Sequence, residues 1–356
     1  MPKIQVLEVV SGFGLGGAEK ALSARMHYLP DKFEHTVLNV RPEIDAFRPT
    51  IQFKEFRIYG RNFMRIIQVR QFLRANHFSV VIVRTPLDAI RFGALKFFVG
   101  KKNYKLIFEA HSNFVSKKFG ADQILGILLR MISGSIDLVI AVSNNVSRGP
   151  LCQGQKNVKR VYLGSTFDLS HLVQTVPNRP HLIFVGRLVE LKRPLWLLER
   201  IHSVSKEILL PEPALTMIGA GPLECEVEDL ISAKSLGHLV NFVGAQENVS
   251  RYYSIATHLV SCSTNEGLPL TFFEAKLAGL SILATPSGGG SEIFEKEDLE
   301  LSSFGEQEFE EALLAIFKSS PSQAQEREAI QVKSKWMSAE EGAKRYYSEV
   351  SRLLEE

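Results

Sequence analysis

Short apolar segments alternate with helical patterns along the whole chain. Helical patterns occur at 17–29, 64–75, 121–133 and 192–207. The apolar segments are rich in Val, Ile and Leu without a clean polar alternation, which is typical of strands covered on both faces. This order predicts an α/β protein with two doubly wound parallel sheets. The predicted strands lie at 4–10, 35–40, 79–83, 105–110 and 137–142 in the first half, and at 181–185, 214–218, 239–243, 257–262 and 280–284 in the second.

The predicted domain boundary lies between these two series of strands. The stretch 165–180 has no clear periodicity and contains Pro177 and Pro180, so we assign the linker to it. The tail 340–356 is amphipathic. It either finishes the second domain or crosses back to the first. We expect an N-terminal domain of residues 1–170, joined by a C-terminal helix at 337–356, and a C-terminal domain of residues 171–336.

Charge is divided unequally between the two halves. Residues 1–175 hold 25 Lys and Arg against 12 Asp and Glu, whereas residues 176–356 hold 17 against 27. A basic half suits nucleic acid, an anionic membrane surface or a phosphorylated lipid. The three cysteines lack CxxC spacing, which argues against a disulfide framework or a zinc site. The N-terminus reads as a strand rather than a signal peptide, and no apolar run is long enough for a spanning helix. We therefore expect a cytoplasmic protein.

The segment from Glu266 to Glu274 carries the most chemical information. A Gly-Leu-Pro turn follows Glu266, and a helix is predicted from Leu270 to Leu280, so Glu274 should lie about one turn into it. Amides at a helix start carry partial positive charge that suits a phosphate. A phosphate beside two carboxylates that bind hydroxyl groups is what a nucleotide-sugar presents. The alternatives are a solvated Glu274 or a glycosidase-like pair of acids.

Three further loops follow predicted strands. Arg187 and Lys192 lie in a strand-to-helix loop, where two cations suit a departing diphosphate. Gly219 belongs to a glycine turn after the next strand, which in isolation is more typical of a simple connection. His111 ends an apolar strand, although a lone histidine is more often structural. Arg187 and Lys192 also have a plain interpretation as charges of a solvated loop.

A glycine-rich loop opens the first helix. Gly12, Gly14 and Gly17 match G-x-G-x-x-G, the pattern of dinucleotide sites. That pattern requires an acid at the end of the second strand, where this chain has Arg41. An NAD(P)-dependent oxidoreductase therefore stays an alternative, as do a plain tight turn and another phosphate-bearing ligand.

In combination, these motifs resemble retaining glycosyltransferases of family 4, which have the GT-B fold of two Rossmann-like domains facing across a cleft. The resemblance runs from about residue 8 to 295. In the first half it rests on the stretch from Gly16 to Glu19, on His111 and on Val142-Ser143. In the second half it rests on Gly186, Arg187, Leu188 and Lys192, on Gly219, Gly221 and Pro222, on Glu266 to Pro269 with Glu274 and Ala275, and on Gly289, Gly290 and Glu292.

The resemblance implies a role for each matched residue. Arg187 and Lys192 would hold the donor diphosphate, and Glu274 the ribose hydroxyls. Glu266 would contact the transferred sugar near the reacting carbon, with His111 beside it. The catalytic set is therefore His111, Glu266, Arg187 and Lys192. The donor-binding set adds Glu274, backbone at Gly16, Gly17, Gly219, Leu268, Leu270 and Thr271, and the base-lining segment 244–249 with Asn248 and Val249.

We therefore expect a hexosyltransferase-type enzyme that uses a UDP-sugar or, as the alternative, a GDP-sugar. It should need neither cofactor nor metal. The acceptor should be a lipid-linked or cell-surface polysaccharide intermediate rather than nucleic acid. Basic and apolar residues mix at 61–67 and 96–102, which suits peripheral contact with the inner face of the plasma membrane. A silent nucleotide-binding protein with the same fold is the remaining alternative.

Overall fold

The computed structural model divides the chain into two units. Unit 1 comprises Met1–Thr166 and Ala339–Glu356, and unit 2 comprises Phe167–Ser338. The predicted linker at 165–180 and the loop around Gly14 fall mostly outside the described residues. The structure describes residues 3–12, 17–42, 53–59, 62–99, 104–113, 121–165, 167, 178–320 and 324–356.

Unit 1 is built on a parallel sheet. Within its described part the sheet has seven strands in the order β3-β2-β1-β4-β5-β6-β7. The reversal of order at β1 is that of a Rossmann fold. Its elements are β1 Ile4–Val10, α1 Gly17–His27, β2 Phe33–Asn39, β3 Lys54–Arg57, α2 Asn62–Ala75, β4 Val80–Val83, α3 Pro86–Val99, β5 Lys105–Ala110, α4 Ala121–Met131, β6 Leu138–Ala141, α5 Asn144–Ser147 and β7 Val158–Arg160.

Unit 2 repeats the same plan. Its described strands form a six-stranded parallel sheet in the order β10-β9-β8-β11-β12-β13. The elements that follow β7 along the chain are β8 Leu182–Val185, α6 Pro194–Ser205, β9 Leu215–Ile218, α7 Glu224–Ala233, β10 Val240–Phe242, α8 Ser250–Ile255, β11 His258–Ser261, α9 Leu270–Leu277, β12 Ser281–Ala284, β13 Leu299–Glu300, α10 Glu306–Lys318, α11 Ala324–Ser334 and, in unit 1, α12 Ala339–Glu355.

The predicted fold class is confirmed, with small corrections. The structure adds the short strands β3, β7 and β13 to the sequence prediction. Helix α9 ends at Leu277 rather than at Leu280, because Gly279 adopts a positive φ of 75° that terminates the helix. The three added strands widen the two sheets at their edges, and the central strands lie where they were predicted.

A buried group of charges lies within unit 1. Glu8 of β1 and Glu109 of β5 are both fully buried. Arg25 of α1 bridges them, with Nη2 2.9 Å from Glu8 Oε1 and Nη1 2.7 Å from Glu109 Oε2. Arg84, which follows the intervening strand β4, is 2.5 Å from Glu8 Oε2. Burial raises the pKa of both carboxyls, but the guanidiniums outweigh it and keep both pKa values below the ordinary range.

The last helix packs on this charged group. The guanidinium carbon of Arg25 lies 3.8 Å from the centre of the Tyr346 ring, a cation–π contact. The hydroxyl of Tyr347 is 3.2 Å from His35 Nε2, and His35 Nδ1 is 3.1 Å from Glu8 Oε1. Helix α12 therefore completes the core of unit 1, although all of unit 2 precedes it in the chain.

Gly342 provides a test of this packing. A methyl group at Gly342 would lie 1.8 Å from the Leu163 carbonyl oxygen, so alanine must push α12 away. Overpacking typically costs about 1–3 kcal/mol. We expect Gly342→Ala to lower the thermal midpoint followed by far-UV circular dichroism, although alanine is the better helix former. Gly134→Ala is the control, since a methyl there meets nothing within 4 Å. An unchanged or raised midpoint for Gly342→Ala would contradict the tight contact.

In unit 2, a buried lysine fixes the helix that follows Glu266. Lys276 of α9 is fully buried, and its Nζ lies 2.7 Å from Asp298 Oδ2 and 3.1 Å from Glu297 Oε1. Asp298 also accepts a hydrogen bond from the backbone N–H of Ile282 in β12. Because both charges are compensated, helix α9 is held against the sheet at a fixed position.

His258, at the start of β11, makes the stability of unit 2 depend on pH. Burial lowers its pKa from 6.5 to about 4, so the folded chain takes up a proton less readily than the unfolded chain. The contribution of neutral His258 to the free energy of unfolding is therefore fully present above pH 6.5 and is lost as the pH falls toward 4.

Between pH 6.5 and 4, we expect the free energy of unfolding of His258→Gln to fall by about 1–3 kcal/mol less than that of the wild type. Both tryptophans, Trp196 and Trp336, belong to unit 2, so their fluorescence reports its urea unfolding. His181, whose pKa burial also lowers, is retained in the variant and leaves a residual slope. Equal pH slopes for wild type and variant would contradict the assignment to His258.

Two findings bear on membrane association. None of the helices within the described ranges is long and apolar enough to cross a bilayer. Lys96, one of the basic residues expected at a membrane surface, is instead 4 % exposed and pairs with Asp137. It therefore contributes to the interior of unit 1. Residues 61 and 100–102 of the two basic stretches lie outside the described residues.

Candidate functional site

Lys192 and Glu266 are brought together at the carboxyl end of the second sheet. Their side chains form an ion pair, and Ser263 Oγ donates a hydrogen bond of 2.7 Å to the same carboxylate oxygen. The loops that carry them are also joined, because Thr264 N–H donates to the Leu191 carbonyl at 2.9 Å. β8 and β11 are neighbours in the sheet, so the loops that follow them meet at one edge. In open α/β sheets this edge is where ligands bind.

The backbone of Glu266 is fixed from a third loop. Its N–H donates to the Ser287 carbonyl at 2.6 Å, and its carbonyl accepts from Gly289 N–H at 3.3 Å. Gly288, between them, has a φ of 119°, a conformation that favours glycine. The glycine-containing loop that follows β12 therefore holds the backbone of Glu266 in place. Lys192 and Glu266 keep 18 % and 13 % of their side-chain surface exposed, so a ligand can reach both.

Arg187 lies in the same strand-to-helix loop but points into solvent. It is exposed and makes no ion pair with any other described residue. The following residue, Leu188, is fully buried and anchors the loop in the core. The structure thus leaves one cation of the predicted pair open and engages the other, Lys192, with Glu266.

Gly219 is required where the loops after β8 and β9 approach each other. Its φ is 151°, and a methyl group there would lie 1.8 Å from the Gly186 carbonyl oxygen. A methyl at Gly221 would lie 2.5 Å from the Leu188 carbonyl oxygen. Both glycines permit close backbone approach at the carboxyl edge of the sheet.

Glu274 is positioned by a residue that the sequence analysis missed. Tyr253 of α8 donates a hydrogen bond of 2.9 Å to Glu274 Oε2. Burial and the neighbouring carboxylate raise the pKa of Tyr253 well above its usual value, so the phenol stays protonated and keeps donating. Phe167 packs edge-on against the same ring at 5.0 Å. Glu274 itself is half-buried one turn into α9.

Asn248 and Val249 immediately precede helix α8. The Asn248 side chain accepts a hydrogen bond of 2.9 Å from the N–H of Ser250, the first residue of the helix. The Val249 carbonyl accepts from the N–H groups of Tyr252 and Tyr253. These two residues therefore fix the start of the helix that presents Tyr253 to Glu274.

The start of α9 leaves backbone donors available. Leu270 and Thr271 occupy the first turn, after Pro269 in an extended conformation, so their N–H groups have no partner within the helix. Leu268, Leu270 and Thr271 are all half-buried. The helix start is thus accessible, as a phosphate site requires.

In unit 1, His111 follows β5 and is tied to the buried charged group. Its Nε2 lies 2.6 Å from Glu109 Oε1, and Glu109 is held by Arg25 and Arg84. The side chain of His111 is 21 % exposed, so one face of the imidazole remains accessible. A carboxylate on one ring nitrogen fixes the ring orientation. Glu8 and Glu109 are acids inside otherwise apolar strands. This is the sequence signal that could have indicated the buried charged group.

The glycine-rich loop is described only in part. Gly14 and Gly16 lie outside the described residues, and Gly17 begins α1 with an exposed position. Gly12 has a φ of 86°, and its N–H donates to the Asn39 side chain at 3.2 Å. Gly12 therefore adopts the left-handed backbone conformation that a turn after β1 requires.

Comparison with known proteins shows what this chain is similar to. Residues 173–332 match the family model described as glycosyl transferases group 1. The chain is a glycosyltransferase. It is 25 % identical over 290 residues, 75 % of each chain, to a Campylobacter jejuni enzyme named GalNAc-alpha-(1->4)-GalNAc-alpha-(1->3)-diNAcBac-PP-undecaprenol alpha-1,4-N-acetyl-D-galactosaminyltransferase. It is 23 % identical over 240 residues, 67 % of each chain, to the Escherichia coli O-antigen biosynthesis glycosyltransferase WbnH.

Solved structures support the same fold for the glycosyltransferase. Anabaena Alr3699/HepE in complex with UDP aligns with a TM-score of 0.77 at 16 % identity, covering 98 % of this chain and 100 % of that one. The lipopolysaccharide outer core galactosyltransferase WaaB aligns with a TM-score of 0.74 at 17 % identity, covering 99 % of both chains. The predicted GT-B fold and the predicted enzyme class are confirmed. The oxidoreductase alternative built on the Gly12–Gly17 loop finds no support in these matches.

Proposed function

We propose that this glycosyltransferase is a retaining enzyme of family 4 that transfers a hexose-type sugar from a UDP-sugar to a lipid-linked or cell-surface polysaccharide intermediate. The observation that carries the proposal is the convergence of Lys192, Glu266 and Ser263 at the carboxyl edge of the second sheet. The match of residues 173–332 to group 1 glycosyltransferases covers these residues. A UDP donor is supported by the UDP bound in the Anabaena structure, and GDP-sugar is the alternative.

In this proposal the donor lies along the edge formed by β8, β9 and β11. Arg187 and Lys192 bind the diphosphate, with the free amides of Leu270 and Thr271 as further donors. Glu274, held by Tyr253, accepts the ribose hydroxyls. Backbone at Gly219 and the segment with Asn248 and Val249 line the base. Gly16, Gly17 and Leu268 approach the phosphates and the sugar.

Catalysis follows from the charges that develop as the glycosidic bond breaks. Negative charge grows on the departing UDP, and Lys192 stabilises it by exchanging its contact with Glu266 for one with the diphosphate. Glu266 is then free to stabilise positive charge on the sugar near the reacting carbon. His111 lies beside the sugar, oriented by Glu109. With these fixed cations and amides, the reaction proceeds without a metal in this proposal.

Glu274 and Lys192 have different roles in this proposal, and substituting each should therefore affect a different measurement. We expect Glu274→Ala to raise the dissociation constant of UDP with a smaller change in turnover. We expect Lys192→Ala to lower turnover by about 10²–10³-fold, as loss of a contact to developing charge does. Calorimetry with UDP and release of sugar from a set of UDP- and GDP-sugars measure the two effects.

Lys206→Ala is the matched control for this experiment, since Lys206 is an exposed lysine just after α6. Wild-type rates and affinities in both site variants would contradict the assignment. UDP binding by the wild type without turnover on any donor would instead favour the silent nucleotide-binding protein.

The acceptor and the location of the enzyme are the remaining parts of the proposal. The names of two relatives include PP-undecaprenol and O-antigen biosynthesis, which supports a lipid-linked or polysaccharide acceptor. Such acceptors lie at membranes, and the excess of Lys and Arg in residues 1–175 suits an anionic surface. We propose a cytoplasmic enzyme that associates peripherally with the inner face of the plasma membrane.

Sedimentation with vesicles tests this association. We expect the protein to sediment more with vesicles of phosphatidylcholine and phosphatidylglycerol than with phosphatidylcholine alone. The difference should shrink at high salt, because the attraction is electrostatic. Equal sedimentation with both vesicle types would reject the proposed membrane contact and leave the donor assignment untouched.

A further inference from the structure

One residue in the loop that carries Lys192 has a left-handed backbone. Arg193 has a φ of 52° and a ψ of 48°, a region that the Cβ atom disfavours in residues other than glycine. Pro194 follows it, and a proline pushes the preceding residue toward extended conformations. Among the described residues other than glycine, only Ser235 shares a positive φ, at 55°. The chain therefore keeps an unfavourable conformation directly beside Lys192.

The turn at Arg193 joins two segments that are anchored in the core of unit 2. Before the turn, the loop is anchored by Leu188, and after it α6 is anchored by Leu197 and Leu198. All three leucines are fully buried and belong to one hydrophobic cluster. Because moving either anchor would disturb the core, a different φ at Arg193 must be absorbed by the residues between Leu188 and α6. Lys192 is one of these residues.

The side chain of Arg193 packs on aromatic rings. Its guanidinium carbon lies 3.9 Å from the centre of the Trp196 ring, a cation–π contact. Trp196 meets Phe309 edge-on with 4.7 Å between ring centres, and Phe309 is fully buried. The centre of the Phe304 ring lies 5.8 Å from the same guanidinium carbon. These contacts stabilise Arg193 where its backbone is unfavourable.

The residues before Arg193 set the direction of the Lys192 side chain. Arg193 N–H donates to the Glu190 carbonyl at 3.2 Å, and Lys192 N–H donates to the Val189 carbonyl at 2.9 Å. The stem of Lys192 runs beside Gly186, since a methyl group at Gly186 would lie 3.8 Å from both Cδ and Cε of Lys192. A change in the turn would therefore move the backbone from which this stem starts.

Arg193 also acts on the strand that leads to Glu266. Burial raises the pKa of the Cys262 thiol, and the Arg193 guanidinium opposes this rise, so the two groups are close enough to interact. Cys262 is fully buried, and the next residue, Ser263, donates the hydrogen bond to Glu266. Arg193 is thus in contact with one loop of the Lys192–Glu266 pair and interacts with the start of the other.

We propose that Arg193 is a positioning residue whose left-handed backbone aims Lys192 at the donor diphosphate. The inference rests on the proposed function, because it concerns the role proposed there for Lys192. The turn lets Lys192 leave the loop on the side of Glu266 while α6 stays packed in the core. A residue that resists this φ shifts the turn, and the ammonium group of Lys192 shifts with it.

Valine and glycine at position 193 test the backbone. Valine resists a positive φ, whereas glycine adopts it freely. We expect Arg193→Val to lower turnover of the UDP-sugar that the wild type uses fastest by about 10–10²-fold, as a small misplacement of a catalytic group does. Calorimetry should show a smaller change in the dissociation constant of UDP. We expect Arg193→Gly to keep turnover close to that of the wild type. Turnover as low in Arg193→Gly as in Arg193→Val would overturn the inference, because the guanidinium would then be what matters.

Ser235→Val is the matched control. It places valine at the other described residue with a positive φ, in an exposed position after α7. It should lower the thermal midpoint as Arg193→Val does and leave turnover unchanged, with rates compared well below both midpoints. Arg193→Ala and Ser235→Ala carry a smaller strain of the same kind and replace the valine variants if either does not fold. An equal loss of turnover in the variants at positions 193 and 235 would overturn the inference.

A double variant separates the positioning of Lys192 from general damage to the fold. Lys192→Ala has no ammonium group left to aim, so adding Arg193→Val should lower its turnover no further. A purely structural role for Arg193 would instead lower turnover by the same factor in both backgrounds. That result would overturn the inference.

The proposed function is judged by different measurements on the same proteins. Wild-type turnover in Lys192→Ala, or no turnover of any nucleotide-sugar by the wild type, would count against the proposed function, and this inference would fall with it. Reduced turnover in Lys192→Ala together with wild-type turnover in Arg193→Val would count against the positioning role of Arg193 alone.

Discussion

Unit 1 depends on the bridge that Arg25 forms between two buried carboxylates. Glu8 and Glu109 stand on strands separated by β4, and neither carboxylate would remain charged in the core without a cation. The same bridge determines two distant features. It fixes the carboxylate that orients His111, and it supplies the cation on which Tyr346 packs. Loss of one partner from such a buried group typically costs about 3–5 kcal/mol.

Unit 2 has an ion pair with a different character. Lys192 and Glu266 remain partly exposed, and each can change partner when a ligand arrives. The contrast is physical: the bridge in unit 1 is closed to water and serves structure, whereas the pair in unit 2 faces the edge where ligands bind. Ser263 and the backbone of the loop after β12 hold Glu266 in position. Elsewhere in unit 2, the buried contact between Lys276 and Asp298 fixes α9, the helix that follows the Glu266 loop.

Much of this arrangement could be predicted from the sequence, because it depends on local patterns. Central strands such as β4 and β8 are continuous apolar runs, and the loops after β8 and β11 carry Arg187, Lys192 and Glu266. Edge strand β3 was missed because Lys54, Glu55 and Arg57 make it read as a loop. Partnerships over long separations were also missed. Arg25 and Glu109 are 84 residues apart, and Tyr253 precedes Glu274 by 21. Local sequence periodicity does not predict such contacts, because they form only when the chain folds.

Helix α12 is encoded after unit 2 and yet belongs to unit 1. A ribosome therefore synthesises all of unit 2 before the last element of unit 1. Until then the nascent chain has Arg25 without the Tyr346 ring and His35 without the Tyr347 hydroxyl. The second unit, although made later, is the first whose sequence is complete during synthesis. The first becomes whole only after α12 has been synthesised, so its folding finishes after that of the segment that forms unit 2 can begin.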